Sequence, residues 1–529
     1  MSDSESTASD TSQPLDFTFG IEIEHLFGIK QDEVANRPEH AWLRPEQCPV
    51  DIEGVGAPLD GPLAKHSRQK LAQVALRQAA KIIRRKEPEL EVWLTPDPDV
   101  DDDEQDPYRR WKLTTEDAVP VPDDTAKLSA WSEDNDEIHL GDFKDWSLAG
   151  LELISRPLAA PDTTATDLDS DGLKELKSHL AAIPRNLEPE RPYFFTTGPG
   201  MGSVHVHVGR KPEDDGTQVG LPIEFVQHLA FICMAFEDTI TLLHHPERHS
   251  YQGTKIFKYG KSNRDVVREE GRLYHRCTLG GEYSCEKAFM GIFRAEDRQL
   301  LDGCLNMRPD FNDKPDRVPV RERFVNFTSA LDAVEGGYVK RTVEFRQHHG
   351  TLSADDVCEW VFFVSALART ADRKRREEPA EDATLPDFVN DADGKYKVVE
   401  QERDDLEKEA KKYTSLFVPG KKRSLEELFD LLELPVERRK YWWAHAEANR
   451  KLWAEKYRGK SSCEPPCDNV LERDSEGWGD DELVCPEYDD QTRSKSPAPG
   501  SKRPRDDEDD GEDEEDGAHR PTKQAKAGQ

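Results

Sequence analysis

Ser203-Val-His-Val-His-Val208 alternates valine with polar residues without a break, a pattern that suits a strand with one apolar and one polar face and does not suit a helix. Three other segments repeat the device. In Phe17 to Phe27, Phe19, Ile21 and Ile23 fall opposite Glu22 and Glu24. In Leu148 to Leu158, Leu151 and Leu153 oppose Glu152, and in Arg341 to His348, Val343 and Phe345 oppose Thr342, Glu344, Arg346 and His348. The plain reading is four half-exposed strands of an α+β sheet. Surface strands usually mix Lys, Thr, Ser and Glu, whereas these outward sets are nearly all Glu, His and Arg. Like charges side by side on one face cost energy unless a cation lies between them. If the four strands share one sheet, four glutamates line one surface. Carboxylates with one or two imidazoles suit Mg²⁺ or Mn²⁺, particularly beside nucleotide phosphates.

Helices are expected between and after these strands. Leu71, Val74, Leu76, Ala79 and Ile82 fall near helical spacing within Leu63 to Arg85, and Leu173, Leu176 and Leu180 mark a helix that stops near Pro184. Pro222 opens a long helix with an apolar stripe from Phe225 through Phe236 to Leu243, and Ser353 caps another with Asp355 and Asp356 in its first turn. Two later helices, near 425–434 and 437–457, contain Trp442, Trp443 and Trp453. The expected organisation is a disordered start over 1–15, a catalytic domain over 16–375, a charged linker with helical extension over 376–460, and a disordered acidic tail over 461–529.

Composition narrows the function. Only 35% of the 529 residues are hydrophobic while 34% are charged, so part of the chain is expected to stay outside any core. The net charge of -35 is clustered, in Val100 to Glu104 and Asp506 to Asp516, and argues against electrostatic binding of nucleic acid. No uninterrupted apolar run nears membrane-spanning length, and Met1 to Gln13 lacks the basic and apolar regions of a signal peptide. Nine cysteines without regular spacing fit a reducing intracellular compartment. Cys463, Cys467 and Cys485 lack a clear fourth ligand for zinc. Lys502-Arg-Pro-Arg505 resembles a nuclear-import signal, so the expected location is cytoplasmic, nuclear or both. The acidic tail is a candidate surface for protein partners.

FGIEIE, GLELISRPL, GSVHVHVG and TVEFRQHHGTL, in that order, resemble the amidoligase family, fungal type, of the carboxylate–amine ligase superfamily, which includes glutamine synthetase and glutamate–cysteine ligase. The resemblance covers roughly residues 16–373. It implies a glutamine-synthetase-like curved antiparallel sheet with flanking helices, and an ATP- and Mg²⁺- (or Mn²⁺-) dependent joining of a small-molecule or peptide carboxylate to an amine. It further implies that Glu22 and Glu24 bind different metal ions, that Glu152 completes one site and His205 with Glu344 the other, and that Arg346 sits against the transferring phosphoryl group. His207 would orient substrate or phosphate. Asn326, Arg248, Asn263 and Arg264 are softer candidates for contacts to substrate or nucleotide. Arg156 interrupts the family's usual Ser-Pro after the second strand, and the acidic insertion at Pro96 to Pro107 lies where it could crowd the nucleotide entrance.

Two rivals remain. His205-x-His207 could be the metal pair of an amidohydrolase, although Glu-x-Glu comes first and the alternation of strands and helices is incomplete. The chain could also be a non-catalytic protein derived from an amidoligase and kept as an interaction module, although every nameable metal ligand is present.

Overall fold

The computed structural model of the chain describes residues 13–30, 62–86, 92–95, 110–116, 119, 146–165, 168–183, 193–195, 202–213, 219–248, 262–264, 285–293, 295, 297–305, 323–331, 341–377, 408, 411 and 424–456. The insertion at Pro96 to Pro107, the three cysteines weighed for zinc, the tail from 461 and most of residues 244–319, a stretch rich in Arg, Lys and Tyr, lie outside the described residues.

A mixed α+β architecture is built on an open nine-stranded sheet. Its spine is β1 (Phe17–Lys30), with β4 (Trp146–Ile154) on one side and β7 (Ser203–Arg210) on the other. Next to β7 come β9 (Val343–His349) and then the short β8 (Val325–Asn326). Beyond β4 lie β3 (Trp111–Thr115) and β2 (Val92–Thr95). β5 (Leu158–Ala159) and β6 (Tyr193–Phe195) pair with the two ends of β1. All pairings are antiparallel except β2 with β3, which is parallel. The four strands with ionisable faces are therefore neighbours, in the order β4-β1-β7-β9.

Their apolar faces form the core. Phe19, Ile21, Ile23, Leu151, Leu153, Val204, Val206, Val208, Val343 and Phe345 are all buried. Helices α1 (Pro62–Lys86), α2 (Asp171–Ala182), α3 (Ile223–Ala235) and α8 (Ala354–Arg376) flank the sheet. Ser353 does cap α8, accepting from the Asp356 amide, and the acids of the first turn and the four cations of the last turn suit the helix dipole.

The helix expected to run from Pro222 to Leu243 is broken at Phe236 into α3 and α4 (Glu237–Leu242). Arg264 explains the break, because its Nε and Nη2 donate to the carbonyls of Met234 and Ala235 at 2.7 and 3.0 Å. Carbonyls at the end of α3 thus find a side-chain donor and do not need another helical turn. Small helices α5 (Cys285–Phe293), α6 (Arg298–Leu305) and α7 (Thr328–Leu331) follow.

One expectation about faces fails. Val206 pairs with Phe345, but Val204 pairs with His348, so β9 holds one extra residue between these pairs. This β-bulge shifts the alternation by one position. Arg346 stays on the ionisable face, while His348 turns to the apolar side and packs 5.9 Å from the ring of Trp360.

The helical extension belongs to the same compact unit as the sheet, residues 1–476. α9 (Leu425–Leu431) opens with a capping box between Ser424 and Glu427, and α10 (Val436–Lys456) lays Trp442 against Trp360 and Phe363, at ring separations of 5.9 and 5.2 Å. Tyr441 donates to Asp356 at 2.9 Å, Asn449 donates to the Leu242 carbonyl at 3.2 Å, and Arg438 pairs with Glu359. At the other end of the chain, the Leu15 amide donates to the buried Asp372 at 3.1 Å. Among the described residues no helix is long and apolar enough to cross a membrane.

Candidate functional site

Strand register places the ionisable groups. Across β1 and β7, Glu22 faces His205 and Gly20 faces His207; across β1 and β4, Glu24 faces Glu152; across β7 and β9, His207 faces Glu344. Two overlapping groups result. Glu22, His205 and Glu344 offer ligand atoms within 4.8 Å of one another, and so do Glu24, Glu152 and His205. His205 belongs to both. Glu22, Glu152, His205, His207 and Glu344 on this face are each no more than 8% exposed. A solvated strand face would be far more open, so these charges must be balanced from within.

Several contacts supply that balance. Nδ1 of His205 lies 3.2 Å from Glu22 Oε2 and 3.3 Å from Glu344 Oε1. Nε2 of His207 lies 3.1 Å from Glu22 Oε1, and its Nδ1 lies 3.1 Å from the Thr342 hydroxyl. Arg346 forms an ion pair with Glu344. Burial pushes the Glu344 carboxyl up, but Arg346, His205 and His207 together outweigh it and hold the group below the usual range. Burial opposes the charge on Arg346, and Glu344, Glu24 and Glu22 more than restore it.

The softer candidates separate. Asn326 donates to Glu344 Oε2 at 2.8 Å while accepting from the Thr328 amide at 3.0 Å, so it aims a cluster carboxylate. Arg248 donates to the carbonyls of Gly202 and Arg346, and it supports the cluster from behind. Asn263 pairs through both ends of its amide with the backbone of Val325, at 2.8 and 3.0 Å. Arg264 is held by Met234, Ala235 and an ion pair to Asp238 at 2.5 Å. These last two residues hold scaffold together and are not members of either group.

Beside Glu22 and His207 the same face opens into a pocket of about 60 Å³, also lined by Thr18, Gly20, Ser155, Gly209, Arg341 and Thr342. Two positions on this face carry no side chain. A Cβ at Gly20 would meet Ser155 and His207 at ordinary contact distance, 3.7 and 3.8 Å, so a methyl group would fit there without displacing either. Arg341 lines the pocket in a left-handed backbone conformation, φ 50°, which is unusual for a residue with a side chain.

Sequence patterning passed over Ser203. Its hydroxyl lies 2.6 Å from both Glu24 Oε2 and His205 Nε2. The available signal was its place two residues before His205, hence on the same face of the strand. The donor set fits divalent cations: carboxylate oxygens predominate, with one imidazole, and two like-charged glutamates, half-buried Glu24 and buried Glu152, face each other across β1 and β4. No family model matches the chain, and no curated protein or solved structure matches it either.

Proposed function

We propose that this protein is an ATP-dependent carboxylate–amine ligase with a glutamine-synthetase-like fold, acting on an amino acid or peptide carboxylate. One observation carries the proposal: four adjacent strands bring Glu152, Glu22, Glu24, His205 and Glu344 together on one face as two overlapping ligand groups, with Arg346 paired to Glu344 beside them. Glu22, His205 and Glu344 would hold one divalent cation, and Glu24 with Glu152 the other. Such cations neutralise the triphosphate and polarise the transferring phosphoryl group.

The chain's own residues account for the remaining work. Arg346, fixed by Glu344, presents a planar cation where phosphoryl charge develops. Asn326 keeps Glu344 from turning away. His207, held between Glu22 and Thr342, borders the pocket and orients what enters it. In the reaction, a substrate carboxylate oxygen takes the γ-phosphoryl group and ADP leaves. An amine nitrogen then attacks the carbonyl carbon of the acyl phosphate, an amide bond forms, and inorganic phosphate departs with the bonding pair and takes up the proton that the nitrogen gives up.

The test is to supply purified protein with ATP, Mg²⁺ and pools of amino acids and amines, following phosphate release and new amide masses together. Carboxylate-dependent phosphate release that disappears in Glu24→Gln supports the ligase. Failure to bind ATP under any condition would favour an interaction module derived from such an enzyme.

A further inference from the structure

We infer that the pocket beside Glu22 and His207 selects the carboxylate substrate by a short branched aliphatic side chain, of valine or leucine size, next to the reacting carboxylate; the inference rests on the ligase reading. Size comes first. A pocket of about 60 Å³ has room for about four to six water-sized groups, at about 10–15 Å³ each. That is too little for a nucleotide base, and it suits a side chain of about three or four carbons. Gly20 lies two residues before Glu22 on the same face of β1, about 7 Å away along the strand. A substrate with its carboxylate at the cation cluster would therefore place its own side chain in the pocket.

The lining gives the chemistry. On β4, Ile154 follows Glu152 on the same face and pairs in register with Glu22, so an apolar side chain stands where the row of ionisable groups would continue. Ile154, Pro157 and Val219 line the pocket and are each half-buried, which leaves apolar surface for a ligand to cover. The polar groups around them are engaged with the chain itself. Thr18 donates to the Arg210 carbonyl at 3.5 Å, Ser155 accepts from the Ile21 amide at 2.8 Å, and the Thr342 hydroxyl lies 3.1 Å from His207 Nδ1. Arg210 shares a strand face with Val206 and Val208, so by alternation it gives the pocket backbone and not a cation. Arg341 is exposed, and a carboxylate paired with an exposed cation gains little. A charged side chain entering here would give up water for a mostly apolar wall.

The test supplies the full-length protein with ATP, Mg²⁺ and hydroxylamine as a common amine, with one carboxylate donor at a time. The donors are glycine, alanine, valine, leucine, phenylalanine, aspartate and lysine, each free and as the C-terminal residue of a glycyl dipeptide. In phosphate release, kcat/KM should peak at valine or leucine and fall about 10- to 200-fold for a carbon removed from or added to the best fit. Gly20→Ala, whose methyl displaces neither Ser155 nor His207, should move the peak to a shorter side chain, and Ile154→Ala should move it toward phenylalanine. Equilibrium dialysis of the same compounds should show the same order in binding. A peak at aspartate or lysine overturns the inference, as does a series without size preference or a Gly20→Ala protein that loses all donors equally. If dialysis shows the valine-to-leucine preference and its shift in Gly20→Ala while no donor supports phosphate release, the ligase reading falls and the selectivity of the pocket stands. Should Gly20→Ala fail to fold, Ile154→Ala decides by the opposite shift.

Discussion

Arg248 donates through Nη2 to the carbonyl of Arg346 at 2.8 Å and through Nη1 to the carbonyl of Gly202 at 3.2 Å, so one buried guanidinium ties the bulge of β9 to the start of β7. Extra residues in a strand leave backbone groups without ladder partners, and Arg248 supplies the missing donor. Burial, countered by Glu24 and reinforced by Arg346, lowers its pKa to about 10, so it stays charged at neutral pH. Arg248→Ala should lower stability by about 1–3 kcal/mol, the cost of a buried acceptor that loses its donor, because the Arg346 carbonyl loses Arg248 while the Gly202 carbonyl keeps the Gly350 amide at 2.8 Å. Arg248→Lys should recover only part of that loss, because an ammonium lacks the planar fork. Urea midpoints of the three proteins check both statements.

Arg346→Lys should separate catalysis from folding. Charge is kept, but the fork that matches phosphoryl oxygens is lost. Phosphate release should fall by about 100-fold, the scale of removing one preorganised donor, while the thermal midpoint moves little. A variant releasing phosphate at the parent rate would remove Arg346 from the reaction.

Cation binding should be visible as stability. Excess Mg²⁺ or Mn²⁺ at about 100 times the dissociation constant should add about 2.7 kcal/mol for each site it fills. Glu24→Gln removes one of two opposed carboxylates on β1 and β4, so the cation-free protein should melt no lower than the parent and the cation-induced gain should shrink. A gain of the same size in both proteins would argue against Glu24 as a ligand.

Filling the pocket is a further test. Gly20→Val places a branched side chain beside His207, where the contacts of a new Cβ are ordinary. Folding should survive and suit a strand residue, whereas substrate affinity should fall at least tenfold. Equilibrium binding of nucleotide and of carboxylate substrate, measured separately, would show which of the two the pocket serves.

Acid should weaken the fold before the carboxylates protonate. Burial lowers His228 and His348 to about 4, below the ordinary value of 6.5. Between those values the unfolded chain binds protons that the folded chain refuses, so stability is full above pH 6.5 and falls toward pH 4, by up to about 3 kcal/mol for each group. Glu344, held low, adds to the loss only as pH drops below its unfolded value. Urea midpoints from pH 7.5 to 4.5 should fall steadily, and His228→Gln should flatten the slope.

Faces of individual strands were legible in the sequence because a period of two fixes them locally, and Glu22, Glu24, Glu152, His205, His207, Glu344 and Arg346 needed nothing more. His348 shows the limit. The bulge that turns it toward Trp360 depends on pairing with β7, and no residue within β9 announces it. Asn263 and Arg264 are similar cases: a polar pair in a basic segment has the same sequence appearance whether it meets substrate or caps a helix. Only the neighbouring carbonyls of Met234, Ala235 and Val325 distinguish the two. The burial of α10 was hidden because its charged residues dilute the stripe that Trp442, Ala446 and Trp453 present to the core.

The seating of α9 and α10 has a consequence for where the chain can be cut. Trp442 and Trp453 are almost wholly enclosed, and Phe429, Leu425 and Leu428 are enclosed with them. A protease cleaving between Glu377 and Ser424 would sever the backbone without separating these surfaces, so the two fragments should co-elute and dissociate only in denaturant. Ending the chain at Glu377 would instead strip the cover from Trp360 and Phe363. Such a truncated protein should aggregate on expression, even though every strand bearing a glutamate or histidine of the cluster would still be present.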